Sequence, residues 1–418
     1  MKNGWKRLDN AAKIFPTASY KSDSQVFRFS CELYKKIDME ILQTALDETI
    51  QVFDIYRYVM RRGLFWYYLE SSDIEPIVEE EHKKIFADIY DCNHKNLLFS
   101  VSFFECRVNL ETYHVLSDGT GAMNFLKLLM NKYLSMKKNL PEPSLDYDAS
   151  QTQMQDDSFL KYYRGSKNKD YVKPQVSLQI KGPKYLDDKI KVITGCISTP
   201  AILAKSREHG VTATAYLAAC MMCAIAENSS VSAKKKPIIL CVPVNLRKHF
   251  PSQSARNFFG TVTINYDFSK EPADFESIVQ EINIQLRKKL TTESLSQNMD
   301  GYSALEHNIV AKIVPLFLKN IILKYAYRIS MKMSTGTISN IGVVTMPREF
   351  DDDIRQFEVS SSTTRIQTCI CSYNDAMTIS FTSPFISTDI QRSFFRHLQK
   401  DGFNVEITAN LVDEDDKL

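Results

Sequence analysis

The sequence predicts an α/β (α+β) protein built as two lobes of similar size. Three observations carry this. A chain of 418 residues is too long for one ordinary core and suits two domains of about 200 residues each. Both halves mix period-2 alternation with helical periodicity. Between them, from Asn139 to about Asp188, the chain turns polar and charged and carries Pro141, Pro143, Pro174 and Pro183, as a surface connection does. The division this suggests is an N-terminal lobe over 1–165, a crossover linker over 166–190 and a C-terminal lobe over 191–418.

In the first half, Met39, Leu42, Ala45, Leu46 and Ile50 recur at helical spacing and predict a helix over 38–53. Tyr58, Phe65, Tyr67 and Leu69 alternate through an extended stretch from Tyr56. Leu97–Phe104 and Val108–Val115 read as strands, and a helix from about Gly121 to Met136 follows with Leu126, Leu129, Met130 and Tyr133 as its apolar stripe. The second half resumes with a strand near Ile190–Ile197 and a helix around Thr199–Glu208. Thr212 or Thr214 then caps a long small-residue helix through Ala226, and a strand follows over Pro237–Val244. The run Ile309–Leu323 is strongly apolar, punctuated by Lys312, Lys319 and the adjoining Lys324, with Pro315 inside. It suits a lipid-accepting groove or a membrane surface, but packing of a core helix is the reading we prefer for it. The acidic tail 413–418 is expected to be disordered.

Composition narrows the function classes. Hydrophobic content of 44% and charged content of 24% are those of a soluble globular protein. A net charge of +2 gives no reason to expect nucleic acid or an anionic membrane as a partner. No run of 18 apolar residues predicts a transmembrane segment, and the polar start Met1–Arg7 does not read as a signal peptide. Nine cysteines without framework spacing suit a reducing, cytoplasmic location. Cys220 and Cys223 have Cys-x-x-Cys spacing but sit inside a helical run with no second pair, so they read as small buried hydrophobes. There is no Gly-x-Ser-x-Gly elbow and no phosphate-binding glycine loop. His82, His94, His209, His249, His307 and His397 are scattered in polar sequence and read as solvated, so no metal site is expected.

The chemistry points to Tyr113-His114-Val115-Leu116-Ser117-Asp118-Gly119. A histidine at a strand end, beside a turn into a helix, is held rigidly at an edge that substrate can reach. General-base catalysis requires that placement. Asp118 is also a good N-cap for the helix that follows, and Gly119 suits a turn needing positive φ or close backbone approach. Three further pieces follow in order: Gly210–Ala219 at the start of a helix; Val242-Pro243-Val244-Asn245-Leu246-Arg247 with Arg256–Thr263; and Thr337-Ile338-Ser339-Asn340-Ile341-Gly342.

Together the four pieces resemble the chloramphenicol-acetyltransferase-like superfamily, which includes condensation domains of peptide synthetases. The Ser-Asn-Ile-Gly element looks most like the alcohol acetyltransferase branch. The resemblance implies two lobes, each a mixed sheet backed by helices, with a tunnel between them. It implies an acyl-CoA-dependent O-acyltransferase with His114 as general base, no acyl-enzyme, no bound cofactor and acyl-CoA as co-substrate. Asp118 would pair with an arginine, for which Arg57 and Arg247 are the candidates. Ser339, Asn340 and Tyr113 would border substrate or the oxyanion; for Ser339 and Asn340 the residues alone equally suit backbone satisfaction at a strand kink. Asn257 and Gly260 are read as shaping a turn. The partners implied are a small-molecule acyl donor and an alcohol or amine acceptor. The alternatives are a condensation-type enzyme using an acyl carrier protein and a non-catalytic binding relative. Two departures stand: Tyr113 occupies the place of a first histidine, and the Asp-Phe-Gly-Trp-Gly element of the plant enzymes is absent.

Overall fold

The computed structural model describes residues 4–19, 23–147, 149–165, 175–307 and 313–412, and for 302–307 the backbone alone. The acidic tail, residues 309–312 of the apolar run and much of the expected linker lie outside the described residues. In chain order the strands are β1 (Trp5–Arg7), β2 (Val26–Leu33), β3 (Tyr58–Arg62), β4 (Tyr67–Ser71), β5 (Val78–Glu80), β6 (Phe99–Phe104), β7 (Arg107–Tyr113), β8 (Lys191–Ser198), β9 (Ile238–Asn245), β10 (Phe259–Tyr266), β11 (Gly336–Val343), β12 (Ile354–Ser361), β13 (Ile366–Tyr373), β14 (Ala376–Ser383) and β15 (Glu406–Ala409). The helices are α1 (Phe15–Ala18), α2 (Met39–Val52), α3 (Gly119–Lys138), α4 (Gln151–Gln155), α5 (Ser158–Tyr162), α6 (Thr199–Glu208), α7 (Ala213–Glu227), α8 (Phe275–Lys289), α9 (Thr292–His307), α10 (Leu316–Met331) and α11 (Asp389–Lys400).

Two large sheets organise the molecule, as the mixed pattern predicts. The first has the order β12-β2-β7-β6-β5 and the second β10-β9-β11-β13-β14-β8-β15; a small sheet, β1-β4-β3, sits beside them. Helices α2 and α3 cover the first sheet. Their apolar stripes meet Phe29, Phe99 and Leu110 in one core, where Tyr56 stacks on Phe125 at 4.2 Å. The second core forms around α7. Its alanines, cysteines and methionines are buried nearly all round, as a helix apolar on every face must be. Thr212 rather than Thr214 caps it, accepting from the Ala215 N–H at 3.2 Å.

The lobes are not separate along the chain. Strand β12, from the 191–418 segment, pairs antiparallel with β2 in the first sheet, Phe357 opposite Cys31. Its far side is tied to the second sheet: the Phe357 carbonyl accepts from Thr378 Oγ1 at 2.7 Å, and the Phe357 ring meets Tyr373 edge-on at 5.3 Å. The apolar periodicity of β12 reads as an ordinary strand and says nothing of which sheet it joins.

The Ile309–Leu323 run resolves differently from the core-packing expectation. Pro315 cannot continue a helix from the residues before it, and α10 starts immediately after it. On α10 only Leu316 and Lys319 are buried.

Because β12 belongs to both lobes, the protein should unfold as one unit. Phe357→Ala should cost about 3–5 kcal/mol and lower a single calorimetric transition. Two resolved transitions, one per lobe, would contradict this coupling.

Candidate active site

The motif histidine lies just past the end of β7. Its backbone N–H donates to the Gln25 carbonyl at 2.9 Å, which fixes the chain as it leaves the sheet. The ring is packed by aromatics from both lobes. Phe15 of α1 stacks on it at 3.9 Å and 17°, Phe27 of β2 lies at 4.2 Å, and Phe259 of β10 at 5.2 Å. His114 therefore stands where the two sheets face each other, partly open to solvent.

One ring nitrogen is tethered. His114 Nδ1 is 3.1 Å from Asn257 Oδ1. The Asn257 amide nitrogen meets only acceptors: the His114 carbonyl at 3.0 Å, Asp9 Oδ2 at 3.3 Å and the Val115 carbonyl at 3.5 Å. The amide oxygen must therefore face the ring, and Nδ1 must carry the proton to donate to it. The other nitrogen, Nε2, keeps its lone pair, and among the described residues it accepts no hydrogen bond. Burial lowers the ring's pKa from its usual value to about 4, against the opposing pull of the Asp118 carboxylate, nearby carbonyls and Asn257. At neutral pH the imidazole is uncharged, the form a general base needs.

Behind Asn257, Asp9 is fully buried. Burial raises its pKa to about 6, and the Arg256 guanidinium, 3.7 Å away, acts in the opposite sense. Asp9 also accepts the Ala12 N–H at 2.8 Å, and Arg256 donates to the Arg7 carbonyl at 2.6 Å. The N-terminal segment is thus locked to the second-lobe loop that holds Asn257.

Asp118 does two jobs. Its Oδ1 accepts from the Gly121 N–H at 3.0 Å and caps α3. Its Oδ2 accepts from Arg247 Nη1 at 2.7 Å and from the Phe258 N–H at 2.7 Å. Of the two candidate arginines, then, Arg247 is the partner. Its remaining donors bind the Ser254 and Arg256 carbonyls at 2.8 and 2.6 Å and shape the loop between β9 and β10. Arg57 ends a short turn before β3, makes no side-chain hydrogen bond or ion pair among the described residues and takes no part in the site. Sequence spacing cannot choose between them, since both reach the motif only through the fold.

Gly119 does not take positive φ, and a Cβ there would lie 2.9 Å from Ile341 Cδ1, the movable end of a side chain. Gly121 is tighter, since a Cβ would sit 2.1 Å from the Ala255 carbonyl oxygen. Tyr113 does not border the site. As the last residue of β7 it points opposite to its neighbour. It is buried, stacks on Tyr90 and shares a hydrogen bond with Ser19 Oγ at 2.8 Å.

On β11 the pleat separates Ser339 from Asn340. Asn340 faces α7, donating to Thr214 Oγ1 at 2.9 Å. Its Oδ1 accepts the Gly342 N–H at 2.9 Å, across a bulge where Gly342 takes φ +95°. Asn340 is therefore the backbone-satisfying residue of the strand kink. Ser339 shares the opposite face with Ile341, the side chain that meets Gly119, and its hydroxyl makes no hydrogen bond among the described residues. Asn257, Asp9 and Phe15 were not legible as site residues. Each lies far along the chain from His114, and an asparagine before two phenylalanines reads as turn chemistry.

Residues 198–391 match the model of the alcohol acetyltransferase family. No curated protein matches the sequence directly. Among solved structures, F. graminearum TRI101 complexed with coenzyme A and T-2 mycotoxin has a TM-score of 0.66 at 11% identity, covering 96% of this chain and 99% of that one. The first condensation domain of the calcium-dependent antibiotic synthetase has a TM-score of 0.65 at 12% identity, covering 96% and 99%. TRI3 trichothecene 15-O-acetyltransferase from Fusarium sporotrichioides has a TM-score of 0.63 at 10% identity, covering 95% of each chain. At these identities the likeness is one of fold. The chain has the chloramphenicol-acetyltransferase-like fold that its four motifs imply.

Three expectations follow. Arg247→Ala leaves the buried Asp118 charge unpaired and should cost about 3–5 kcal/mol in denaturant unfolding, whereas Arg57→Ala should stay within about 0.5 kcal/mol. In an NMR titration the His114 ring should take up its proton near pH 4, below the usual value of about 6.5, with Nδ1 protonated above that pH. Asn257→Ala should yield a mixture of tautomers in the ring ¹⁵N shifts. A single unchanged tautomer in that variant would remove Asn257 from the role of orienting the ring.

Proposed function

We propose that the protein transfers an acyl group from a coenzyme A thioester to a hydroxyl acceptor, with His114 as general base. The observation that carries this reading is the neutral imidazole between the lobes, with Nδ1 tethered by Asn257 and Nε2 left available. In this reading, Nε2 takes the proton of the acceptor hydroxyl as its oxygen attacks the thioester carbonyl carbon. A tetrahedral oxyanion forms. It collapses by breaking the carbon–sulfur bond, and the departing thiolate takes the proton from the imidazolium. The products are an ester and a free thiol, and the histidine returns neutral.

The low ring pKa keeps the base uncharged but weak. Proton transfer therefore has to accompany attack, when the acceptor oxygen becomes acidic. Orientation of the two substrates would supply much of the remaining acceleration. Ser339, on the strand face beside Ile341 and the motif turn, is the candidate donor to the oxyanion or to the pantetheine arm. Asp118 and Arg247 act on the position of the turn, and Asn257 on the ring; none of the three is assigned contact with substrate. The match of residues 198–391 to the alcohol acetyltransferase family supports a hydroxyl over an amine acceptor.

Purified protein incubated with acetyl- and longer acyl-CoAs and a panel of alcohols should release free thiol, followed with a chromogenic disulfide. His114→Ala should reduce the rate by about 10²–10⁴-fold. The wild-type rate should hold as the pH falls to about 5, where a histidine of ordinary pKa would be mostly protonated. Thiol release that survives in His114→Ala, or a covalent acyl-protein adduct in mass spectra, would refute the mechanism. No release from any coenzyme A ester would shift the reading to a carrier-protein thioester or a non-catalytic relative.

A further inference from the structure

Helix α10 exposes what a soluble core helix buries. Phe317, Ile321, Tyr325 and Ile329 recur every four residues along one face, and Leu318 and Ile322 widen the stripe. Ile321, Ile322 and Tyr325 are 64%, 63% and 68% exposed. The stripe continues onto the β3–β4 turn, where Leu64 is 73% and Phe65 41% exposed. That turn is bonded to the helix: the Leu316 N–H donates to the Leu64 carbonyl at 2.9 Å, and Lys319 Nζ donates to the Phe65 carbonyl at 3.0 Å. Lys319 also lies over the Trp66 ring at 3.5 Å. Contiguous apolar surface on this scale marks a contact with something outside the molecule.

The charge pattern indicates what that contact is. From Ile313 to Met333 the chain carries four basic residues, Lys319, Lys324, Arg328 and Lys332, and no aspartate or glutamate. Helical geometry sets Lys324, Arg328 and Lys332 along one border of the apolar stripe. An apolar, aromatic-bearing face edged by cations fits the boundary of an anionic lipid layer: the side chains enter the acyl region and the cations meet headgroup phosphates.

The same helix lies one layer from the candidate base. It packs against α1, whose Phe15 stacks on the His114 ring at 3.9 Å. Tyr327 Oη accepts from Gln25 Nε2 at 3.5 Å, and the Gln25 carbonyl accepts the His114 N–H at 2.9 Å. We propose that α10 and the Leu64–Trp66 turn form a docking surface for an anionic lipid layer. Resting on the function proposed above, this makes an amphiphilic alcohol held in that layer the fitting acceptor class.

Flotation with vesicles tests the docking without any catalysis. The protein should float with vesicles of phosphatidylcholine containing phosphatidylglycerol, bind pure phosphatidylcholine less, and be released by salt. The paired variant Ile321→Asp/Tyr325→Asp should lose flotation while keeping its melting temperature. Lys324→Glu/Arg328→Glu should weaken it by at least about tenfold. Absence of flotation, or flotation unchanged in the variants, would overturn the proposal. So would self-association in sedimentation that the apolar variant abolishes, since that would assign the face to a second copy. Thiol release from water-soluble substrates is measured without vesicles, so docking and the transferase reading fail separately. If both hold, vesicles doped with a long-chain alcohol should raise thiol release in the wild type and not in the apolar variant.

Discussion

The buried ion pair of Asp118 and Arg247 is the interaction on which the site depends. Removing two charges from water is costly, and a lone pair rarely recovers that cost. Here the carboxylate also receives two backbone N–H groups, from Gly121 and Phe258, and the guanidinium binds three carbonyls of the β9–β10 loop. Every charged atom is thereby engaged. One carboxylate starts α3 in the first lobe and holds the loop of the second. Because Asn257 precedes Phe258, the same contact delivers the amide to His114. Helix capping, loop shape and the orientation of the imidazole are one structural event.

The aromatic packing around the ring has an opposing consequence. Phe15, Phe27 and Phe259 hold the imidazole rigidly, but they also strip it of water and depress its pKa. A more solvated ring would be a stronger base and a looser one. This arrangement gives up basicity for position and leaves proton transfer to be driven by the reaction itself.

Local features of the fold and site were legible in the sequence. The helix at 39–52 follows the apolar periodicity closely because it buries one stripe, and the helices at 119–138 and 199–208 lie close to where the sequence places them. The motif histidine and its capping aspartate declare themselves by setting: a strand end, a turn, a helix start. What could not be read is whatever depends on contacts between distant segments. Arg57 and Arg247 are equivalent as letters, and only the closure of the second lobe onto the first selects one. Asn257 reads as a turn residue because its partners, Asp9 and His114, are remote in the chain. Tyr113 looks like a site residue by adjacency, yet the pleat sends it into the core. For α10 the apolar run was visible, but periodicity alone does not tell a face turned to a core from one turned outward.

Strand β12 bears on how the chain comes into being. The edge of the first sheet along β2 is covered only when residues 354–361 arrive. During synthesis, at about 5–20 residues per second, that edge stands open for on the order of tens of seconds. An unpaired strand edge is a template for pairing with other chains. The nascent N-terminal half is therefore the phase of greatest vulnerability. Two charged residues on β2, Arg28 and Glu32, interrupt its apolar sequence, and charges on an edge disfavour such pairing.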